Sequence, residues 1–545
     1  MKNKKKQTNF VQQAGILAAA GIICRIIGLL YRSPLANIIK DEGNGYYGPA
    51  YNVYAILLMI SSYSIPTAVS KVMAQKLALK EYRNAHKIFV GSNVFVIILC
   101  AITSLLAFFG ADYLGGLNSQ QAEVLKLFAP TIFLSGLLGT LRGYFQAYGS
   151  MVQTSISQIL EQIANAAASL SLAYIFVQSA AGTDSTEQAL RGAKGSAIGT
   201  GLGVLIALLF MVWVYALNRK GMQRRMKRDI YSREISYPDI FKLILLMAAP
   251  IILSAFIYNI NTTLNQSIYS NIMHKVHKLD SKQISTFYGI FVGKPVVLVS
   301  IPLAIASSIA TAVIPSISGA YEMNDIALTG RNMDKALKTT MLVGIPAGVG
   351  LFVLAKPITQ LLFPQPESLD LASSLLRVLS ISVFFYSLST ITNSILQGIG
   401  KAKATVVNAT AALIIQSVFL MLILRFTSVN LYGLALANIV YSGTVCILNQ
   451  VVMKKTLSFK QDLINTYVKP AIAALLMGIV AFGTYQLVYF LIKSNVISLM
   501  ISICFAVAVY FVAVMVSGIF TVEEIKRLPK GELILQIAHR LHLLR

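Results

Sequence analysis

Acidic residues are scarce in this chain: 21 Asp and Glu stand against 46 Lys and Arg in 545 residues, a formal net charge of +25. Charged residues together make up only 12%, about half the usual share for a soluble domain. A soluble protein of this length would need polar surface on two to four domains, and the chain does not have it. Disordered and fibrous chains are excluded by the same arithmetic. Only four cysteines occur, Cys24, Cys100, Cys446 and Cys504, all within apolar runs and without CxxC or Cys/His spacing. Neither a disulfide framework nor a zinc site is indicated. The five histidines have no metal-ligand spacing. A P-loop, an HExxH helix and a pair of carboxylates on one helix are all absent, so no catalytic constellation is legible and a transporter is expected rather than an enzyme. No cofactor and no metal are expected.

What is abundant is apolar surface. Hydrophobic residues make up 56% of the chain, and the mean hydropathy is +0.68. This is the composition of an all-α polytopic membrane protein. Stretches of roughly 20 apolar residues cross a hydrocarbon core. Fourteen are expected, near 11–33, 47–70, 88–110, 124–147, 154–178, 195–217, 241–270, 286–315, 336–356, 371–396, 404–426, 431–453, 470–492 and 497–519.

The basic balance follows from topology, since Lys and Arg collect in cytoplasmic loops. A nucleic-acid partner would require a basic polar domain, which is missing. Alternate loops carry Lys71 to Lys87, Arg219 to Arg228, Lys401 with Lys403, and Lys454 to Lys460. The intervening loops are acidic or neutral, as at Asp41-Glu42 and Asp184 to Glu187. Both termini are thereby expected in the cytoplasm. One loop dissents: His274, Lys275, His277, Lys278 and Lys282 fall outside. The basic start Met1 to Gln7 lacks a cleavage site and reads as a cytoplasmic tail. The basic end, Thr521 to Arg545, has the apolar spacing of a segment lying on the membrane surface.

An internal repeat organises the spans. Ile65-Pro-Thr-Ala-Val69 recurs as Ile309-Ala-Thr-Ala-Val313, Gln146-Ala-Tyr-Gly149 as Gln397-Gly-Ile-Gly400, and Gly195 as Gly433. Two six-span halves are expected, residues 1–217 and 239–453, joined by a basic cytoplasmic linker at 218–238. Six is even, so the repeat is parallel, about an axis along the membrane normal. Spans 13 and 14 (470–519) and a basic tail (520–545) lie outside it. One chain then supplies both walls of a central cleft, which is transporter architecture.

The residues that stand out are ionisable groups within spans, since a charge at the bilayer centre costs at least about 2.5–3.5 kcal/mol on insertion scales. Span 1 carries Ala14, Ala18, Gly21, Arg25, Gly28 and Arg32 on one face. Small residues there admit a neighbouring helix, but they do not account for two arginines about 10 Å apart. Arg142 lies near the end of span 4 and reads either as an interface anchor or as a further cation for a ligand. Lys294 precedes Pro295 inside span 8 and reads either as a ligand contact at a helix break or as an anchor. Lys356 and Arg377 read as anchors. Glu161 has polar neighbours in Ser155, Gln158, Gln162, Asn165 and Ser169. It suits a counter-ion to arginine or a proton or cation site. Span 7 carries Asn259, Thr262, Thr263, Gln266 and Ser270, either as interhelical hydrogen bonds or as the wall of a hydrated cleft. The buried charge is mainly cationic and suits an anion, phosphate above all, because the guanidinium fork matches its oxygens.

These features resemble the polysaccharide-biosynthesis branch of the multidrug/oligosaccharidyl-lipid/polysaccharide exporter superfamily. They are the fourteen spans in two halves, Arg25-Ile-Ile-Gly28 with Arg32, Ile65-Pro-Thr-Ala-Val-Ser-Lys71 and Gln146-Ala-Tyr-Gly149. Within that branch the chain is similar to the stage V sporulation protein B group and to MurJ-type flippases. The resemblance implies two lobes in alternating access and an undecaprenyl-diphosphate-linked sugar as cargo, moved from inner to outer leaflet, with lipid II favoured. It implies that Arg25 and Arg32 match a span 1 arginine pair of that family, that Lys294 approximates a span 8 cation, and that a groove by spans 13 and 14 takes the lipid tail. The family's span 2 arginine has no counterpart between Tyr46 and Ser70. On that reading Arg25, Arg32, Arg142 and Lys294 hold the diphosphate. Glu161, Asn259 and Gln266 contact sugar or peptide, or sense a coupling ion. Membrane potential or a Na+/H+ gradient supplies the drive, and cell-wall synthesis proteins are candidate partners. Alternative cargoes are other polyprenyl-linked envelope or spore precursors. A cation-coupled multidrug exporter of the same fold, and a scaffold that transports nothing, are the other readings.

Overall fold

The computed structural model describes residues 16, 19–28, 30–63, 65–114, 118–227, 229, 235–457 and 461–519. The expected terminal tails therefore lie outside the described residues, as does much of the expected linker. No strand occurs among the described residues.

The chain divides into two compact units, Met1–Gly293 and Lys294–Arg545. In the first, a helical stretch over residues 19–28 leads to α1 (Arg32–Leu58), a π-helical turn (Met59–Tyr63) and α2 (Ile65–Ala78). There follow α3 (Tyr82–Phe109), α4 (Ser119–Ala147), α5 (Val152–Ser179), α6 (Ser185–Lys227), α7 (Tyr237–Lys275) and α8 (Ser281–Gly293). The second unit holds α9 (Pro295–Glu322), α10 (Ile326–Val353), α11 (Ala355–Leu362), α12 (Pro366–Gly398), α13 (Ala402–Phe426) and α14 (Leu431–Leu457). It ends with a π-helical turn (Ile464–Val468), α15 (Lys469–Ile492) and α16 (Asn495–Val516).

Local chemistry starts and stops these helices. Asn118 accepts from the Gln121 amide while the Gln121 side chain accepts from the Asn118 amide, a capping box that opens α4. Ser236 caps α7, with a proline in its first turn, and Asp325 caps α10. At the end of α4, Gly149 (φ +77°) bonds back to Gln146, and Ser150 to Phe145. At the end of α12, Gly400 (φ +75°) bonds back to Gln397, and Lys401 to Leu396. Both are left-handed caps that glycine fills without strain.

That pair belongs to a larger pattern. Left-handed residues recur as Lys40 and Lys278, Lys80 and Asn324, Gly149 and Gly400, and Gly182 and Asn430. Each pair joins a position in the expected first half with one in the expected second half. The two remaining left-handed residues, Lys493 and Gly518, fall with spans 13 and 14, outside the repeat.

By packing, α7 and α8 fall in the first unit, which ends at Gly293. Within it α1 and α8 cross closely. A Cβ on Gly45 would strike the Ser285 carbonyl, and one on Gly289 would strike the Asp41 carbonyl. Glycine at both points lets the two backbones touch.

Twelve helices among the described residues are long and apolar enough to cross a membrane, where fourteen spans were expected. One candidate, Ala19–Ser62, is 44 residues long and runs through both of the first two expected spans. Within it Lys40 leaves helical geometry, with φ 57° and ψ −172°. The expected span 7 falls in α7, which is not one of the twelve. Large apolar side chains face outward along the helices, such as Phe490, Ile479 and Leu30, 80%, 71% and 70% exposed. Those faces suit lipid. This is a multi-pass membrane protein of helical bundles.

Candidate functional site

The first unit gathers most of the intramembrane charge. Three neighbouring glycines of α6 set its geometry. A Cβ on Gly195 would meet the Leu172 carbonyl, one on Gly199 would overlap the backbone of Ser169, and one on Gly203 would lie 2.8 Å from the Glu161 carbonyl. This stripe, at spacings of four, presses α6 against the backbone of α5. Ser169 strengthens the seam by donating to the Ser196 carbonyl at 3.1 Å and to Asn165 Oδ1 at 2.9 Å.

On α5, Glu161 accepts a hydrogen bond from an Arg142 terminal nitrogen at 2.7 Å. Arg142 Nε donates to Ser157 Oγ at 2.8 Å. The two side chains are 14% and 23% exposed, so this ion pair is largely withdrawn from solvent. Of the roles open to Glu161, the geometry is that of an arginine counter-ion. Arg142 in turn has its charge balanced.

The stripe of residues 19–28 approaches the same helix. A Cβ on Gly28 would lie 3.7 Å from Gln162 Oε1. Arg25, three residues earlier, is exposed. Arg32 opens α1, is half-buried, bonds the Tyr31 side chain, and lies within electrostatic reach of Tyr47 and Tyr51. Those tyrosines begin a ladder on α1. Tyr47 and Tyr51 stack at 5.7 Å between centroids and 23° between planes. Tyr51 and Tyr54 lie 5.6 Å apart. Tyr54 stacks on Phe128 of α4 at 4.4 Å and 18°. The tyrosines were not among the residues singled out from sequence, although their spacing of four and then three residues was there to be read.

On α7, Gln266 is 2% exposed and forms no hydrogen bond through either amide atom among the described residues. Asn261 Oδ1 and Thr263 Oγ1 on the same helix are likewise buried without a partner atom. Asn259 is helical in α7, but its side chain lies outside the described residues. Lys294 belongs to the second unit. It sits at the break between α8 and α9, is 1% exposed, and donates through Nζ to Ser368 Oγ in the first turn of α12. Arg25, Arg32, Arg142 and Glu161 thus share one unit, and Lys294 does not belong to it. Lys356, exposed on the second unit, pairs with Asp370 at 2.7 Å.

No group of three or more His, Cys, Asp or Glu side chains that could hold a metal occurs among the described residues. All four cysteines are free.

Comparison with known proteins narrows the class. The polysaccharide biosynthesis protein family matches residues 10–320, and the MatE family matches residues 296–422. The membrane protein YabM of Bacillus subtilis is 27% identical over 537 residues, 95% of each chain. The lipid II flippase MurJ of the same organism is 24% identical over 74% of this chain and 75% of its own length. A solved structure of lipid II flippase MurJ, in an inward closed conformation, aligns with a TM-score of 0.68 at 16% identity. It covers 92% of this chain and 98% of that one. The likeness is one of fold, and its bearers are flippases and transporters rather than enzymes.

Proposed function

We propose, because the chain belongs to the polysaccharide biosynthesis protein family, that it turns a polyprenyl-diphosphate-linked saccharide from the inner to the outer leaflet of a bacterial plasma membrane. Lipid II is the favoured cargo. Two arginines carry the reading: Arg25, on the stretch of residues 19–28, is exposed, and Arg32, at the start of α1, is half-buried within electrostatic reach of Tyr47 and Tyr51. A diphosphate entering a hydrocarbon layer loses its hydration, and guanidinium groups replace it with charge-assisted hydrogen bonds. The pairing of Arg142 with Glu161 leaves that acid balanced, which favours an anionic cargo over a cationic drug. Outward movement of the anion down an inside-negative potential gains about 2.3 kcal/mol per charge per 100 mV. That term is the proposed drive, with a Na+ or H+ gradient as the other source.

The test is transbilayer movement of labelled undecaprenyl-diphosphate sugars by the purified protein in liposomes, wild type beside Arg25→Ala and Arg32→Ala. Movement by wild type that falls at least tenfold in both variants supports the reading. Wild-type protein that moves no such lipid but exports dyes would overturn it in favour of multidrug transport.

A further inference from the structure

We infer that the tyrosine ladder of α1 is the saccharide-recognition surface of this site, with Tyr47 and Tyr51 stacking on sugar rings while Arg32 holds the phosphate. The inference rests on the function proposed above and assigns the part of the cargo that each side chain reads.

The argument begins with position. Tyr47, Tyr51 and Tyr54 lie on one face of α1, at i, i+4 and i+7, so their rings form a continuous column. The column is anchored at one end. Tyr54 is 3% exposed, stacks on Phe128, and bonds its hydroxyl to Ser135. Tyr47 and Tyr51 also lie beside Phe128, at 5.8 and 6.0 Å between centroids, but they meet it tilted or edge-on and are only half-buried. The Tyr47 hydroxyl has just a 3.5 Å approach to Thr200, at the outer limit of a hydrogen bond.

The second point is charge. Tyr51 lies within electrostatic reach of both Arg32 and Glu161, and Glu161 also reaches Tyr54. The ladder's electrostatic border thus contains a cation and a carboxylate already paired with Arg142. A purely apolar ligand gains nothing from that border. A pyranose does. One face of the ring presents polarised C–H bonds to the negative face of an aromatic ring, and its equatorial hydroxyls can meet the phenols and the acid. A core built only for packing would favour Leu or Phe, because a phenol half-withdrawn from water must find a partner.

The third point is rigidity. Phe128 lies beside all three rings and stacks on Tyr54, so Tyr47 and Tyr51 are arranged before any ligand arrives. Little rotamer entropy is then lost on binding.

The experiment uses full-length protein in liposomes and two probes, undecaprenyl-diphosphate disaccharide and undecaprenyl diphosphate without sugar, in competition. Wild type should favour the sugar-bearing lipid. Tyr51→Ala and Tyr47→Ala should reduce that preference, by about tenfold for Tyr51→Ala, while leaving binding of the sugar-free lipid unchanged. Tyr51→Phe, which keeps the ring, should retain most of the preference and guards against a mere folding defect. Arg32→Ala should weaken both lipids alike. A preference unchanged in Tyr51→Ala, or lost equally in Tyr51→Phe, overturns the inference. A wild type that moves both lipids equally well also overturns it and leaves the flippase reading standing. A wild type that moves neither removes that reading, and this one with it.

Discussion

Replacing Glu161 by Gln should destabilise the first unit through Arg142, and the size of the effect can be bounded. The pair meets at 2.7 Å, with side chains 14% and 23% exposed. Two unit charges about 4 Å apart attract by about 4 kcal/mol at an effective dielectric constant near 20, a gross figure before desolvation. Fully exposed pairs retain less than about 1 kcal/mol of it, whereas removing one partner of a buried pair costs about 3–5 kcal/mol. The exposures here lie between those limits, so each single change, Glu161→Gln or Arg142→Gln, should cost about 1–3 kcal/mol. The double variant should cost scarcely more than either single, because the second change removes a charge already left without its partner. Arg142 would still donate to Ser157 in Glu161→Gln, and this puts the expected loss for that variant at the lower end. Unfolding of the four proteins in detergent closes the cycle, and adding salt should reduce the coupling only slightly. Strictly additive losses would refute the reasoning and would return Arg142 and Glu161 to independent roles, such as separate ligand contacts.

Other outcomes follow from the same geometry. Gly199→Val should prevent α5 and α6 from closing, since even a Cβ there overlaps the Ser169 backbone. Thermal unfolding should show the loss, and Gly221→Ala, with nothing within 4 Å of its added Cβ, should not. Acid should weaken the turn between α2 and α3. The Asn84 amide, and after it Lys76, hold the Glu81 carboxyl below the usual carboxylate range. A lowered folded value means stability that is present above the unfolded value of about 4.5 and is lost as pH falls through the lower folded one. Glu81→Gln should flatten that part of a stability–pH profile, and an unchanged profile would exclude the contact.

The sequence determined the class of this protein because membrane insertion is a local requirement. Each helix must satisfy its own backbone and present apolar side chains, so composition and run length are enough to read it. The expected repeat rests on a similar reason. Turns that need left-handed residues leave marks at fixed offsets, seen at Gly149 and Gly400. That Arg25 and Arg32 share a face is an expectation from helical period alone. Tertiary structure decided what those residues meet. Glu161 pairs with Arg142, 19 positions away on another helix. Lys294 is buried against Ser368, 74 positions away. Gly45 and Gly289 draw α8 onto α1 and so assign α7 and α8 to the first unit. The residue that leaves helical geometry between the first two expected spans is Lys40, a choice the sequence alone did not single out. Period and propensity act over a few residues, but a partner across the bundle is chosen by how two surfaces close against each other, and the one-dimensional pattern does not carry that information.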